Sequence, residues 1–242
     1  MLYVFGRKAG WAPLATASWL DPKDPSSYPH IVFVPEMGEI TEERILELYD
    51  KAKREHGYVE LAVSEGVSVK GIEDKTSARA LDELAKRYPE IVDEYGHVDL
   101  KALDTPGYIA ELIRDHRGLT GRDRETLVMY RRLDYYLRSG EPTNIDRELA
   151  IAAGKHAVEL LENGIAGKMV NITEGKVIEG YGVGDVSLED VSGGRVLEKK
   201  MFDSDTCTPT EDFIDYVRKL VPDARRYRLY NKILPKAIDR ND

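Results

Sequence analysis

The sequence predicts an α/β protein built on a parallel sheet, and three observations carry that expectation. His30-Ile31-Val32-Phe33-Val34-Pro35-Glu36 is a continuous apolar run ending in turn chemistry, the pattern of a strand buried on both faces. Thr41 can cap a helix whose first turn holds Glu42 and Glu43, and Ile45, Leu48, Tyr49 and Ala52 follow at helical spacing. Val59 to Ser64 is a second buried run, so the order strand–helix–strand implies a right-handed parallel crossover.

The other elements follow from local chemistry. Leu2 to Phe5 reads as the end of a short strand, Gly6 to Gly10 as a turn, and Trp11 to Leu20 as a helix that Pro13 can start. Asp21 to Pro29 is a loop rich in Pro, Ser and Asp. From 67 to 125 the chain is charge-rich, with a helical pattern through Ala80, Leu81, Leu84 and Ala85, a break at Pro89, and a helix opened by Pro106 through Ile109, Leu112 and Ile113. Leu127 to Tyr130 is expected as a third strand. A long helix should begin near Asp146, bury Ile145, Leu149, Ala152, Ala153, Ala157, Leu160 and Leu161, and stop at Asn163-Gly164. Lys168 to Ile172 is a further apolar strand, Glu174 to Lys200 contains a loop or hairpin, and Thr210 to Leu220 is a helix with Phe213, Ile214 and Val217 inward. Arg225-Arg226-Tyr227-Arg228 reads as a solvated basic arm.

Composition narrows the function classes. At 242 residues, with 42% hydrophobic and 33% charged, the chain reads as one large or two small globular domains rather than a disordered one. A net charge of -9 weighs against nucleic acid or an anionic membrane as the main partner. It leaves a phosphorylated ligand open, because a few local arginines suffice to bind one. Cys207 is the only cysteine, which excludes an internal disulfide and a thiolate cluster, and the histidines show no metal spacing, so no metal ligand is expected. No basic-plus-apolar leader precedes the first motif and no apolar run approaches ~18 residues, so the expected location is the cytoplasm.

Three stretches carry candidate chemistry. In Val4-Phe5-Gly6-Arg7-Lys8-Ala9-Gly10-Trp11, Gly6 lets the backbone approach a ligand, free amides at a helix start favour an anion, and Arg7 can add a bidentate contact. The tripeptide alone fits a glycine turn with a surface arginine equally well. Glu65, in Val63-Ser64-Glu65-Gly66, stands at the carboxyl end of a parallel strand, where ligands collect in open sheets; it can accept from sugar hydroxyls or simply end the strand. Tyr135 and Arg138 precede Ser139-Gly140-Glu141-Pro142 and a long helix, and they offer a neutral hydroxyl donor and a planar fork for phosphate, or pack a loop.

Taken together, the Gly-Arg-x-Ala-Gly-Trp string, the Ser-Glu-Gly after its strand and the Arg-Ser-Gly-Glu-Pro-Thr-Asn-x-Asp-Arg segment followed by Ala166-Gly167-Lys168-Met169-Val170 resemble the fructose 6-phosphate part of the phosphofructokinase family. The family usually has methionine where Phe5 stands, and an aromatic ring can supply the same apolar contact. Tyrosine at 135, and Tyr95-Gly96-His97-Val98-Asp99-Leu100, are closer to the pyrophosphate-using and related members than to ATP-using bacterial ones. An arginine that the family often lends from a neighbouring subunit, nine residues before the position of Arg138, is Met129 here, and its role is not carried over to Arg131 or Arg132.

The resemblance implies a parallel-sheet, Rossmann-like phosphofructokinase fold with the amino-terminal donor-binding half missing. It implies Phe5, Gly6, Arg7, Glu65, Tyr135 and Arg138 as the substrate-binding residues, with no catalytic base assigned. Residues 1–66 would be the sugar-phosphate-binding α/β portion, 67–125 a helical insertion, 126–221 the continuing core and 222–242 a basic tail. The donor turn (Gly-Gly-Asp or Gly-Asp-Asp) and the Thr-Ile-Asp loop of the family do not occur in these residues, and Gly182-Val183-Gly184 and Gly193-Gly194 lack a strand–turn–helix setting. Mg²⁺ is therefore expected only with the donor-binding half. The partners implied are fructose 6-phosphate and either that half or a homo-oligomer partner. A non-catalytic sugar-phosphate-binding or regulatory subunit is the alternative.

Overall fold

A computed structural model describes residues 1–6, 9–17, 29–70, 86, 92, 104–133, 136, 139–191 and 195–220. The residues fall into two compact units, one made of 1–139 with 194–214 and the other of 140–193 with 215–242.

The first unit is an α/β layer on a parallel sheet. In chain order it holds β1 (Leu2–Val4), α1 (Trp11–Ala15), β2 (Ile31–Phe33), β3 (Glu39–Ile40), α2 (Glu42–His56), β4 (Leu61–Ser64), β5 (Ser68–Val69), α3 (Thr105–His116), α4 (Arg122–Leu127) and β6 (Arg131–Arg132). The main sheet has the order β2-β4-β1-β6 with every pairing parallel, so the sequence's strand–helix–strand unit closes as β2, α2 and β4 side by side. Thr41 caps α2 by accepting from the Arg44 amide at 3.2 Å, and Gly57 ends it in the left-handed region. Ile45, Leu48, Tyr49 and Ala52 of α2 and Ile109 and Ile113 of α3 form one core with Ile31, Phe33, Leu61 and Val63. Val32 and Ala62, one residue out of phase, are also buried, as a sheet covered on both faces requires.

Two local expectations change. The stretch expected as a third strand, Leu127 to Tyr130, starts as the end of α4, and the strand is instead Arg131–Arg132. Two arginines give no apolar run to read, yet they suit the edge position that β6 occupies among the described residues, where charge discourages further pairing. The first helix spans Trp11–Ala15 with Pro13 as its third residue, while residues 18–20 lie outside the described residues. The helical pattern at Ala80 to Ala85, the stretch Tyr95 to Leu100 and the tail from 222 also lie outside them.

The second unit is a helix on a hairpin. Helix α5 (Asn144–Glu162) begins with a reciprocal capping box between Thr143 and Asp146 and ends at Asn163, with Gly164 at φ 69°. Strands β7 (Lys168–Ile178) and β8 (Tyr181–Ser187) pair antiparallel, so the expected strand at Lys168 to Ile172 is the first half of a longer one. Asp185 of β8 accepts from His156 of α5 and from Lys168 of β7, each at 3.2 Å; Lys168 and then His156 hold its carboxyl below the usual carboxylate range. Of the face expected to be buried, Ile145 and Leu149 are, Ala152, Ala153, Ala157 and Leu160 are half-buried, and Leu161 is exposed.

The chain returns to the first unit through the short pair β9 (Phe202–Asp203) and β10 (Thr208–Pro209). Helix α6 (Glu211–Leu220) follows, with Phe213, Ile214 and Val217 buried as expected; the first unit ends within it, at Ile214. Among the described residues no helix is long and apolar enough to cross a membrane.

Candidate functional site

The carboxyl ends of β1, β4 and β6 lie at one edge of the sheet, because β1 pairs in parallel with both neighbours: Tyr3 stands opposite Val63 and Arg132, and Val4 opposite Ser64. The chain leaving β1 enters Phe5-Gly6, and the chain leaving β4 enters Glu65-Gly66. Their backbones stay together past the strands, with the Glu65 amide donating to the Val4 carbonyl at 3.1 Å.

Side chains then lock this edge. Tyr3 Oη donates to Glu65 Oε2 at 2.6 Å, and the Gly6 amide to Glu65 Oε1 at 3.4 Å. Ser64 Oγ donates to the Gly6 carbonyl at 2.6 Å. A side chain at position 6 has no room: a Cβ there would stand 2.6 Å from Ser64 Oγ and 2.8 Å from the Ala9 carbonyl oxygen. The glycine is therefore a steric requirement of this close approach. Phe5 is half-buried and meets the Tyr3 ring edge-on, with centroids 6.3 Å apart. Glu65 can accept about four hydrogen bonds, so with two donors in place it keeps acceptor capacity for a ligand.

Sequence reasoning missed the support beneath Glu65. The Arg132 guanidinium lies 4.0 Å from the centroid of the Tyr3 ring, a cation–π contact, and its Nη1 is 3.7 Å from Asp104 Oδ1. Tyr130 Oη donates to the same Asp104 oxygen at 2.5 Å. Asp104 also caps α3 from a strained φ of 27°. Asp104, Arg132, Tyr3 and Glu65 thus form a continuous chain of polar contacts leading to the strand ends. In the sequence Arg131 and Arg132 stand out of register with the family's arginine, and nothing in their setting signals a stack on Tyr3.

The other end of the first motif has a structural job. The Gly10 amide donates to both oxygens of Glu36 at 3.0 Å, and Glu36 also accepts from the Leu197 amide at 2.9 Å. The Trp11 indole donates to the Arg195 carbonyl at 2.8 Å. The amide of Gly10, at the N-cap of α1, is thus taken by an internal carboxylate and is not left for an anion.

Phe5, Gly6 and Glu65 are accordingly brought together, while Arg7, Tyr135 and Arg138 lie outside the described residues. Tyr135 follows the last residue of β6 by three positions, and Arg138 by six. Among the described residues no group of three or more His, Cys, Asp or Glu side chains could hold a metal ion.

No protein-family model matches the chain. Among curated proteins it is similar to the ATP-dependent 6-phosphofructokinase 3 of Bacteroides thetaiotaomicron, 26% identical over 193 residues that cover 80% of this chain and 43% of that protein. The pyrophosphate–fructose 6-phosphate 1-phosphotransferase of Methylococcus capsulatus is 29% identical over 70% of this chain and 35% of its own length. The same enzyme of Thermoproteus tenax is 28% identical over 72% and 41%. Two solved pyrophosphate-dependent phosphofructokinases share the fold. That of Marinobacter aquaeolei superposes with a TM-score of 0.60 at 23% identity, and that of Nitrosospira multiformis with 0.63 at 21%, each over 91% of this chain and 47% of the other. The chain spans less than half the length of each of these proteins. Its fold is that of the phosphofructokinases, and its resemblance to them, of both donor types, extends over most of its length.

Proposed function

We propose that this chain is the carboxyl-terminal, fructose 6-phosphate-binding portion of a 6-phosphofructokinase. The observation that carries the reading is the parallel adjacency of β1, β4 and β6: each strand runs into one of the three motifs, and the two motifs described are tied together through Glu65. In this reading Glu65, held by Tyr3 and Gly6, accepts from hydroxyls of the sugar, and the Phe5 ring flanks its carbons. Arg7 and Arg138 take the 6-phosphate by charge-assisted hydrogen bonds, and Tyr135 adds a neutral donor. These residues bind and orient the acceptor so that its 1-hydroxyl meets the phosphoryl donor. Positioning of this kind is the larger part of what a protein contributes to phosphoryl transfer. Mg²⁺ would enter with the donor, where it would neutralise charge on the transferred phosphoryl group.

Calorimetric titration tests the reading. Fructose 6-phosphate should bind the chain, and Arg138→Ala should weaken binding by roughly 1.5–3 kcal/mol, the scale of hydrogen bonds to a charged group. No binding to the unaltered chain, or an unchanged affinity in the variant, would overturn the assignment.

The second reading is a non-catalytic sugar-phosphate-binding or regulatory subunit. Restoration of turnover on adding a separately produced donor-binding portion, with Mg²⁺ and ATP or pyrophosphate, supports the enzyme; binding without turnover supports the second reading.

A further inference from the structure

Beside Glu65 stands a cation that the binding reading does not use. Arg132 lies opposite Tyr3 in the parallel register, and Tyr3 opposite Val63, so the three side chains project from one face of the sheet. Glu65, two residues past Val63, continues on that face, where the Tyr3 hydroxyl reaches it. Val63 belongs to the core that α2 and α3 cover. Packing α3 there brings its N-cap, Asp104, to the carboxyl ends of the strands and beside Arg132.

Arg132 is poorly placed to hold a ligand itself. One face of its guanidinium lies on the Tyr3 ring, 4.0 Å from the centroid, and Nη1 is 3.7 Å from Asp104, so an incoming phosphate would have to displace a carboxylate. Its effect falls on Tyr3. The flat stack fixes the plane of the ring, and a positive charge over a phenol draws electron density from the hydroxyl, which makes Oη–H a stronger donor. That hydroxyl meets Glu65 Oε2 at 2.6 Å while the Gly6 amide meets Oε1, so the carboxylate is held at both oxygens. Asp104 is anchored in turn. It caps the Gly107 amide, accepts from Tyr130 Oη at 2.5 Å and keeps a φ of 27°, a backbone cost that persists only where the surroundings over-determine the residue.

We propose that Arg132 is a positioning residue of this site: through Tyr3 it fixes the Glu65 carboxylate for the hydroxyls of the sugar, and so raises affinity for the acceptor without touching it. The inference rests on the sugar-phosphate reading and assigns a role to a side chain outside the three motifs. It also joins β6, the strand that leads toward Tyr135 and Arg138, to the strands that lead into the first two motifs.

Calorimetric titration of the full chain with fructose 6-phosphate, in a two-residue mutant cycle, is the test, with circular dichroism to verify folding. Arg132→Met keeps an apolar stem over the ring and removes the charge; it should weaken binding about fivefold. Tyr3→Phe removes the hydroxyl through which Arg132 acts and should weaken binding by about fivefold or more. In the Tyr3→Phe background, Arg132→Met should change the affinity by less than about twofold. A merely structural contribution, or a direct contact of Arg132 with the phosphate, would instead give the same loss in both backgrounds. Arg132→Gln replaces Arg132→Met in the cycle if the latter does not fold. Binding to the unaltered chain with an equal affinity in the Arg132 variant, or an equal loss in both backgrounds, would overturn this inference and leave the sugar-phosphate reading standing. No binding to the unaltered chain would overturn both.

Discussion

Replacing Tyr3 by phenylalanine isolates the contact that fixes Glu65. The ring is 1% exposed and stays in place in the variant, keeping its edge contact with Phe5 and its place beneath Arg132. Only the hydroxyl that donates to Glu65 Oε2 at 2.6 Å is removed. Hydrogen bonds to a charged acceptor contribute ~1.5–3 kcal/mol, and because Glu65 is half-exposed, water can partly replace the lost donor, so the expected cost is about 1.5 kcal/mol. Urea unfolding measures it as a lower midpoint at unchanged slope. A double-mutant cycle with Glu65→Gln assigns the cost to this pair, with an expected coupling of about 1 kcal/mol. A Tyr3→Phe midpoint equal to that of the unaltered chain, or a coupling of zero, would refute the claim that Tyr3 orients Glu65.

Gly6→Ala should destabilise the first unit by ~1–3 kcal/mol in the same unfolding assay, since its methyl would crowd Ser64 Oγ and the Ala9 carbonyl with no free space to enter. His30 should make stability depend on pH. Burial first, and the stacked His56 ring 4.3 Å away second, lower its pKa to about 4 from the usual 6.5. The unfolded chain therefore takes up the proton first as pH falls, so the stabilisation is fully present above about pH 6.5 and is lost as pH drops toward 4, by up to about 3 kcal/mol. His30→Gln should flatten that part of a stability–pH profile; an unaltered slope would assign the effect to another group.

The sequence alone determined those features whose causes are local. The apolar runs at Ile31–Phe33 and Leu61–Val63 read as buried strands because they are short and end in turn chemistry, Thr41 and the Thr143–Asp146 pair start their helices by capping amides three residues away, and Gly164 stops α5 because it adopts a positive φ at little cost. Glu65 was legible as a candidate for the same reason, since it stands where a readable strand ends. The tertiary structure decided what depends on partners distant in the chain. Periodicity tells which face of a strand is buried but not which strand lies beside it, so only the fold places β1 between β4 and β6 and thereby sets Arg132 on Tyr3, and Tyr3 on Glu65, across 129 and 62 residues of chain. Glu36 likewise reads as a strand-end carboxylate until the fold brings the Gly10 and Leu197 amides to it. These are polar contacts made by single side chains: they leave no repeating pattern in the sequence, and they exist only once the hydrophobic core has fixed which backbone ends meet.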